Sequence, residues 1–88
     1  MFEFEPDRPR WQQVADVIRE RIESGTYQPK YLVSELSLVQ EFGIARDTAR
    51  KAVRALREEG LIYTVPHMGS FVSVPNEAES PEDQASTD

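Results

Sequence analysis

The chain has 88 residues, with 10 Lys and Arg against 16 Asp and Glu and a formal net charge of −6. This length allows one domain and argues against a large catalytic fold with a deep substrate cleft. The absence of cysteine excludes a disulfide framework and a thiolate zinc site. No apolar run approaches the ~20 residues that cross a membrane, and the first residues lack the pattern of a signal peptide. We therefore expect a cytoplasmic protein.

The composition divides the chain into three parts. Residues 75–88 hold five acids and no base, which is typical of a solvated, disordered tail. Residues 1–8 form a short acidic segment at the other end. We therefore predict one folded domain over residues 9–74, between these two acidic ends.

The positive charge is concentrated in one part of the predicted domain. From Arg8 to Val74, ten basic residues stand against eight acidic ones. Residues 46–57 contain one acid, Asp47, and five basic residues: Arg46, Arg50, Lys51, Arg54 and Arg57. An evenly spread acidic charge would argue against a nucleic-acid partner, so this asymmetry is the first functional signal.

The first predicted helix runs from about Pro9 to Ser24. Its apolar residues recur at the spacing of one helical face: Trp11, Val14, Ala15, Ile18 and Ile22. Proline suits a first turn and Gly25 suits the left-handed residue after the last turn. We interpret Trp11 as a core residue at the head of this face.

A second, shorter helix is predicted from Ser34 to Phe42, after the β-prone residues 31–33. Ser34 offers a side-chain oxygen to the free N–H groups of the first turn, and Glu35 lies at the positive end of the helix dipole. Gly43 suits a left-handed stop. The residues expected to face inward are Leu36, Leu38, Val39 and Phe42.

The third predicted helix, from about Arg46 to Glu59, is the most informative. One face is apolar and the opposite face carries arginines at Arg46, Arg50, Arg54 and Arg57. The apolar face consists of Ala49, Ala52, Val53 and Leu56. Residues 43–45 are short enough to be the turn of a helix-turn-helix.

Two β-rich runs, residues 61–65 and 70–74, follow and are separated by Pro66, His67, Met68 and Gly69. This pattern predicts a hairpin. A hairpin directly after a helix-turn-helix is a wing. The predicted fold is therefore mainly α, a winged helix-turn-helix of three helices plus a two- to three-stranded antiparallel wing.

These ordered blocks resemble the GntR family of winged-helix transcription regulators, named after the gluconate-operon repressor. The resemblance runs from about Arg10 to Val72 and includes residues 42–52, Phe-Gly-Ile-Ala-Arg-Asp-Thr-Ala-Arg-Lys-Ala, and residues 69–72, Gly-Ser-Phe-Val. It implies a DNA-reading domain in which the start of the third helix enters the major groove and the hairpin tip approaches the minor groove.

The resemblance also implies site residues. Arg46, Thr48 and Arg50 match a family block whose members contact phosphates and bases, whereas Ala45 stands where the family usually has a capping serine. The remaining matches are Ser34 and Glu35 at the start of the second helix, Gly69 in the wing, and Lys30 for a basic residue of the connector. Residues 64–68 replace a wing segment that is usually rich in Arg and Gly.

Side-chain chemistry assigns further roles on the third helix. An arginine fork pairs with guanine, so Arg46 and Arg50 are candidate base readers. Asp47 either accepts from cytosine N4 or simply stabilises the helix start. Lys51 is a candidate phosphate contact, and Arg54 and Arg57 are candidates either for phosphate contacts or for surface ion pairs. The alternative for this face is an ordinary solvated surface with an Arg54–Glu58 pair.

His67 is the only histidine. Without a second histidine, neither a histidine-based metal site nor a catalytic triad is expected, so His67 is interpreted either as an exposed turn residue or as a side chain inserted at the minor groove. The sequence carries no phosphate loop, nucleophile motif or metal-ligand spacing. We therefore expect no cofactor, no metal and no enzymatic activity.

The prediction is a sequence-specific DNA-binding transcription regulator, with repression implied by the resemblance. Two copies on a palindromic operator are expected because one module buries little surface on double-stranded DNA. The candidates for the pairing are Phe2 and Phe4, the Trp11 end of the first helix, or a second protein. The family's large effector-binding domain is not expected in this chain. Two alternatives stay open: a winged-helix protein-interaction module, and an excised part of a longer effector-responsive regulator.

Overall fold

A computed structural model describes residues 2–74 as three helices followed by a two-stranded antiparallel sheet. The elements are α1 (Arg10–Glu23), α2 (Glu35–Phe42), α3 (Arg46–Glu58), β1 (Ile62–Val65) and β2 (Gly69–Val72). The predicted winged helix-turn-helix is therefore confirmed. The acidic tail predicted at residues 75–88 lies outside the described residues. No helix within the described range has the length and apolar character needed to cross a bilayer.

The core lies where the three helices meet the inner side of the sheet. Its fully buried side chains include Val14, Ile18, Leu38, Leu56, Ile62 and Val72. Trp11 packs against this core but is only partly buried. The inward orientation predicted for Leu36 is wrong, because its side chain is 52% exposed. Leu36 and Leu38 are two residues apart, about 200° around a helix, so only one of them can face the core.

The wing is built from a hairpin and a short third segment. Ile62 pairs with Val72 and Val65 with Gly69 across the two strands. Leu32 adds a single antiparallel bridge to Phe71, which agrees with the β-prone character of residues 31–33. The second strand ends at Val72, two residues earlier than predicted.

The N-terminal segment, residues 2–8, lies against the helices. The Phe2 ring packs edge-on against Phe42 with centroids 5.1 Å apart. The side chain of Gln13, which is 5% exposed, accepts from the backbone N–H of Glu5 at 2.8 Å and donates to its carbonyl at 3.0 Å. Since buried amides require such partners, this segment is held on α1.

Two arginines of α1 connect that helix to the other two. Arg19 donates to both carboxylate oxygens of Glu59, at 2.8 and 2.6 Å, and Arg21 binds both oxygens of Glu41. The bond from Arg19 lowers the pKa of Glu59, and that from Arg21 lowers the pKa of Glu41. These ion pairs use α1 cations for internal contacts.

Candidate nucleic-acid interface

Helix α3 separates an apolar face from a basic one. Ala49, Ala52, Val53 and Leu56 are buried against the other helices. The opposite face is exposed and carries Arg46, Arg50, Lys51 and Arg54, which we call the basic face. Helix α2 packs against α3, as in a helix-turn-helix, and the basic face is left open to solvent.

In the described part of the chain, three of the four cations of the basic face lack the carboxylate partners that other arginines of the domain have. Arg8, Arg19 and Arg21 all have carboxylate partners within 4 Å. Among residues 2–74, none of the ion pairs involves the basic-face residues Arg46, Lys51 and Arg54. Their charge is therefore available to an external anion.

Asp47 and Arg50 form an ion pair within the first turns of α3. Arg50 Nη1 lies 2.9 Å from Asp47 Oδ1, and their side chains are 50% and 82% exposed. Asp47 is also the acidic residue of the first turn, where the helix dipole favours it. The carboxylate therefore bonds Arg50 on the exposed surface of α3, and its role toward cytosine stays a prediction.

The predicted alternative of an Arg54–Glu58 pair is wrong, because the ion pairs of the described chain do not include it. Both side chains instead line a shallow cavity of ≈310 Å³ with Trp11 and Lys51. The indole of Trp11 thus borders the basic face while packing on the core.

The predicted residues at the two helix starts have local structural roles. The Ser34 hydroxyl accepts from the backbone N–H of Ser37 at 3.2 Å and caps α2. Glu35 occupies the first turn of the same helix. Thr48 is half-buried near the start of α3, and the residue that precedes this helix, Ala45, provides no side-chain cap. The structure thus gives Ser34 a capping function, and DNA contacts by these residues stay predictions.

The wing tip carries a strained backbone. His67 has φ +69°, and Lys30 in the α1–α2 connector has φ +74°. Left-handed values are costly for residues with a Cβ and favour glycine or asparagine. His67 is exposed and sits in the loop that Met68 closes by donating to the carbonyl of Val65 at 3.0 Å. The left-handed residue His67 thus lies in the turn at the end of the hairpin, with its imidazole exposed.

Gly69 lies where the wing meets the connector. Its φ of +120° belongs to glycine, and a Cβ at this position would lie 2.8 Å from Leu32 Cδ1. The predicted wing glycine therefore has a structural reason independent of DNA.

Sequence reasoning missed a hydrogen-bond network between α3 and the wing. Arg57 Nη1 donates to Thr64 Oγ1 at 3.0 Å, and Thr64 Oγ1 lies 3.0 Å from Ser70 Oγ. Alternation along the strands offered a signal, because Thr64 and Ser70 share the core-facing side of the sheet with Ile62 and Val72. Arg57 is thus bonded to the wing rather than to a carboxylate of the described chain.

A metal site is not suggested by the geometry. Within residues 2–74, the His, Asp and Glu side chains do not gather in groups of three that could hold a metal ion. The candidate site consists of the basic face and the wing beside it. Ser34 and Glu35 line the cleft of ≈390 Å³ between the wing and α2.

Comparison with known proteins agrees with this architecture. The chain matches the bacterial regulatory proteins of the gntR family over residues 10–72. It is 38% identical over 68 residues to the histidine utilization repressor of Klebsiella aerogenes, covering 76% of this chain and 28% of that repressor. The same identity and coverage relate it to the transcriptional repressor NagR of Bacillus subtilis. The chain thus spans just over a quarter of the length of these repressors.

Solved structures show the same fold. The AraR DNA-binding domain in complex with operator ORR3 superposes with a TM-score of 0.72 at 35% identity, covering 83% of this chain and 89% of that one. A GntR family transcriptional regulator from Listeria monocytogenes superposes with a TM-score of 0.77 at 26% identity, covering 93% and 74%.

Proposed function

Because the chain belongs to the gntR family of bacterial regulatory proteins, we propose that it binds double-stranded DNA sequence-specifically and regulates transcription, with repression as the direction. The basic face of α3 enters the major groove, and the wing tip approaches the minor groove. The protein acts in the cytoplasm by binding and carries out no catalysis.

One observation carries this proposal: three of the four cations of the basic face have no carboxylate partner within the described residues, whereas Arg19 and Arg21 of α1 are paired. Arg46, Lys51 and Arg54 lie on the exposed side of α3, without ion pairs in the described part of the chain. A row of unpaired cations on one exposed helix face can neutralise phosphates beside a groove, because duplex DNA carries about one negative charge per 1.7 Å of axis. An acidic total charge does not oppose such local binding.

The cations have different proposed tasks. Arg46 and Arg50, near the start of α3, read base edges, since the N-terminal residues of a recognition helix contact bases. Asp47 orients Arg50 through their ion pair and accepts from cytosine N4. Lys51 and Arg54, further along, contact phosphates and position the domain.

We further propose that two copies bind a palindromic operator. A single module of this size buries roughly 600–1,000 Å² on DNA, which is modest for tight and specific binding. The relatives that it matches are much longer, so pairing through another part of a longer chain is compatible with this proposal.

The test is selection of bound duplexes from a random-sequence library, followed by affinity measurements at several salt concentrations. We expect enrichment of one sequence, recurring as two half-sites at a fixed spacing. Absence of binding to any duplex at low salt would contradict the proposal and would favour the alternative, an acidic protein partner for the basic face.

A further inference from the structure

Arg57 connects the last turn of α3 to both strands of the wing. Its Nη1 donates to Thr64 Oγ1 at 3.0 Å, and that oxygen lies 3.0 Å from Ser70 Oγ. Thr64 and Ser70 are directly opposed across the hairpin, and Ser70 is 9% exposed. The exposed Arg57 guanidinium is thus bonded to a hydroxyl pair in which Thr64 is exposed and Ser70 is buried.

The Thr64–Ser70 pair lies between the buried part of the wing and its tip. On the core-facing side of the sheet, the Ile62–Val72 pair is buried in the core, and Thr64–Ser70 is the next pair outward. Residues 66–68 then form the loop. On this side, apolar packing therefore ends at Ile62 and Val72, and the hydroxyl pair is the last cross-strand pair before the tip.

The same network reaches the start of α2. The carbonyl of Ser70 accepts from the backbone N–H of Val33 at 2.8 Å, and Val33 precedes the α2 cap Ser34. Arg57, the hydroxyl pair and Val33 therefore join α3, the wing and the entry to α2. These are the elements whose relative positions decide how the domain fits on a duplex.

We propose that Arg57 is a positioning residue, which sets the angle of the wing to α3 so that the wing tip reaches the minor groove while α3 occupies the major groove. This inference rests on the proposed DNA-binding function. Arg57 acts through its hydrogen bond to Thr64 and, through Thr64, on Ser70. In this role the guanidinium orients the wing and does not contact phosphate.

The variant Thr64→Val tests this role because it keeps the side-chain shape and the charge of Arg57 but removes the accepting hydroxyl. Thr26→Val is the matched control, since Thr26 is an exposed threonine in the connector. The probe is the best duplex from the random-library selection. Protection of guanine N7 from methylation reports on the major groove, and hydroxyl-radical footprinting reports on the minor groove.

We expect Thr64→Val to lose minor-groove protection, to keep major-groove protection, and to bind about two- to tenfold more weakly. Arg57→Ala should have the same effects, and the double variant should bind no more weakly than either single variant, because both remove one network. Circular dichroism checks that each variant is folded, and Arg57→Ala carries the test alone if Thr64→Val is not.

Two results would overturn the inference. One is an unchanged minor-groove footprint in folded Thr64→Val and Arg57→Ala proteins. The other is a salt dependence reduced by Arg57→Ala but not by Thr64→Val, which would make Arg57 a phosphate contact. Failure of the unmodified chain to bind any duplex would instead contradict the proposed function. This result differs from the two above, in which the unmodified chain still binds.

Discussion

Leu32 Cδ1 lies 2.8 Å from the point that a Cβ on Gly69 would occupy, so the connector approaches the wing closely at this glycine. Leu32 also forms the bridge to Phe71 that adds the third segment to the sheet. Position 69 therefore combines a left-handed backbone with a close contact to the connector.

Gly69→Ala should destabilise the fold by about 1–3 kcal/mol, because φ +120° is costly for a residue with a Cβ. Urea unfolding measures the change. The Leu32 side chain is 48% exposed and can turn away, so the backbone term should dominate. The control is Gly69→Ala on a Leu32→Ala background, where the cost should remain. Its disappearance there would show that the side-chain contact is the main term.

His67→Gly should raise stability slightly, by roughly 0–1 kcal/mol, because relief of the left-handed φ is partly offset by the entropy of glycine. Lys30→Gly, at a similar φ of +74°, should raise the stability by a similar amount. If His67 enters the minor groove, His67→Gly should also weaken binding to the selected duplex. Equal affinity before and after the change would leave His67 as an exposed turn residue.

Asp47→Ala should relax sequence preference and strengthen binding to random DNA, since it removes both a base acceptor and a negative charge from the basic face. Repeating the library selection with this variant measures the change. Glu23→Ala removes the same charge from the exposed end of α1 and should leave the preference unaltered. An unchanged preference with Asp47→Ala would restrict Asp47 to the helix start.

Arg54→Gln should lower the salt dependence of DNA binding by ~0.9 in the log–log slope, as expected for loss of one phosphate contact. Arg19→Gln makes the same charge change, but Arg19 is already paired with Asp16 and Glu59. Its slope should therefore match that of the unmodified chain. Equal slopes for all three proteins would argue against a phosphate contact at Arg54.

Stability should decrease in acid because of the ion pairs of α1. The hydrogen bond from Arg21 holds the pKa of Glu41 below its ordinary value of 4.5, and Arg19 does the same for Glu59. A carboxyl group with a lowered folded-state pKa stabilises the fold above its unfolded-state pKa and loses this contribution as pH falls through the folded value.

Urea unfolding at pH 7 and at pH 3 measures this dependence. Glu41→Gln and Glu59→Gln should each reduce it, at a cost below ~1 kcal/mol at pH 7 because the pairs are exposed. Glu20→Gln is the control, since Glu20 is exposed and outside the ion pairs of the described residues. An identical pH dependence in all variants would show that groups other than Glu41 and Glu59 cause the loss of stability in acid.

Periodicity and turn residues were enough to predict the helices and the hairpin. The spacing of Ala49, Ala52, Val53 and Leu56 specified which face of α3 is buried, and the structure confirms it. The break at residues 66–69 specified the hairpin. These features are local, because a helix repeats every 3.6 residues and a strand every two, so the order of side chains is enough to predict them.

Tertiary structure decided which charges remain free and how the wing is held. Arg19 and Glu59 are 40 residues apart, and Arg57 meets Thr64 only when the hairpin folds back onto α3. Leu36 and Leu38 likewise could not both face inward, and packing against α3 selected Leu38. Such pairings depend on distances between separate elements, which the repeat within any one segment does not contain.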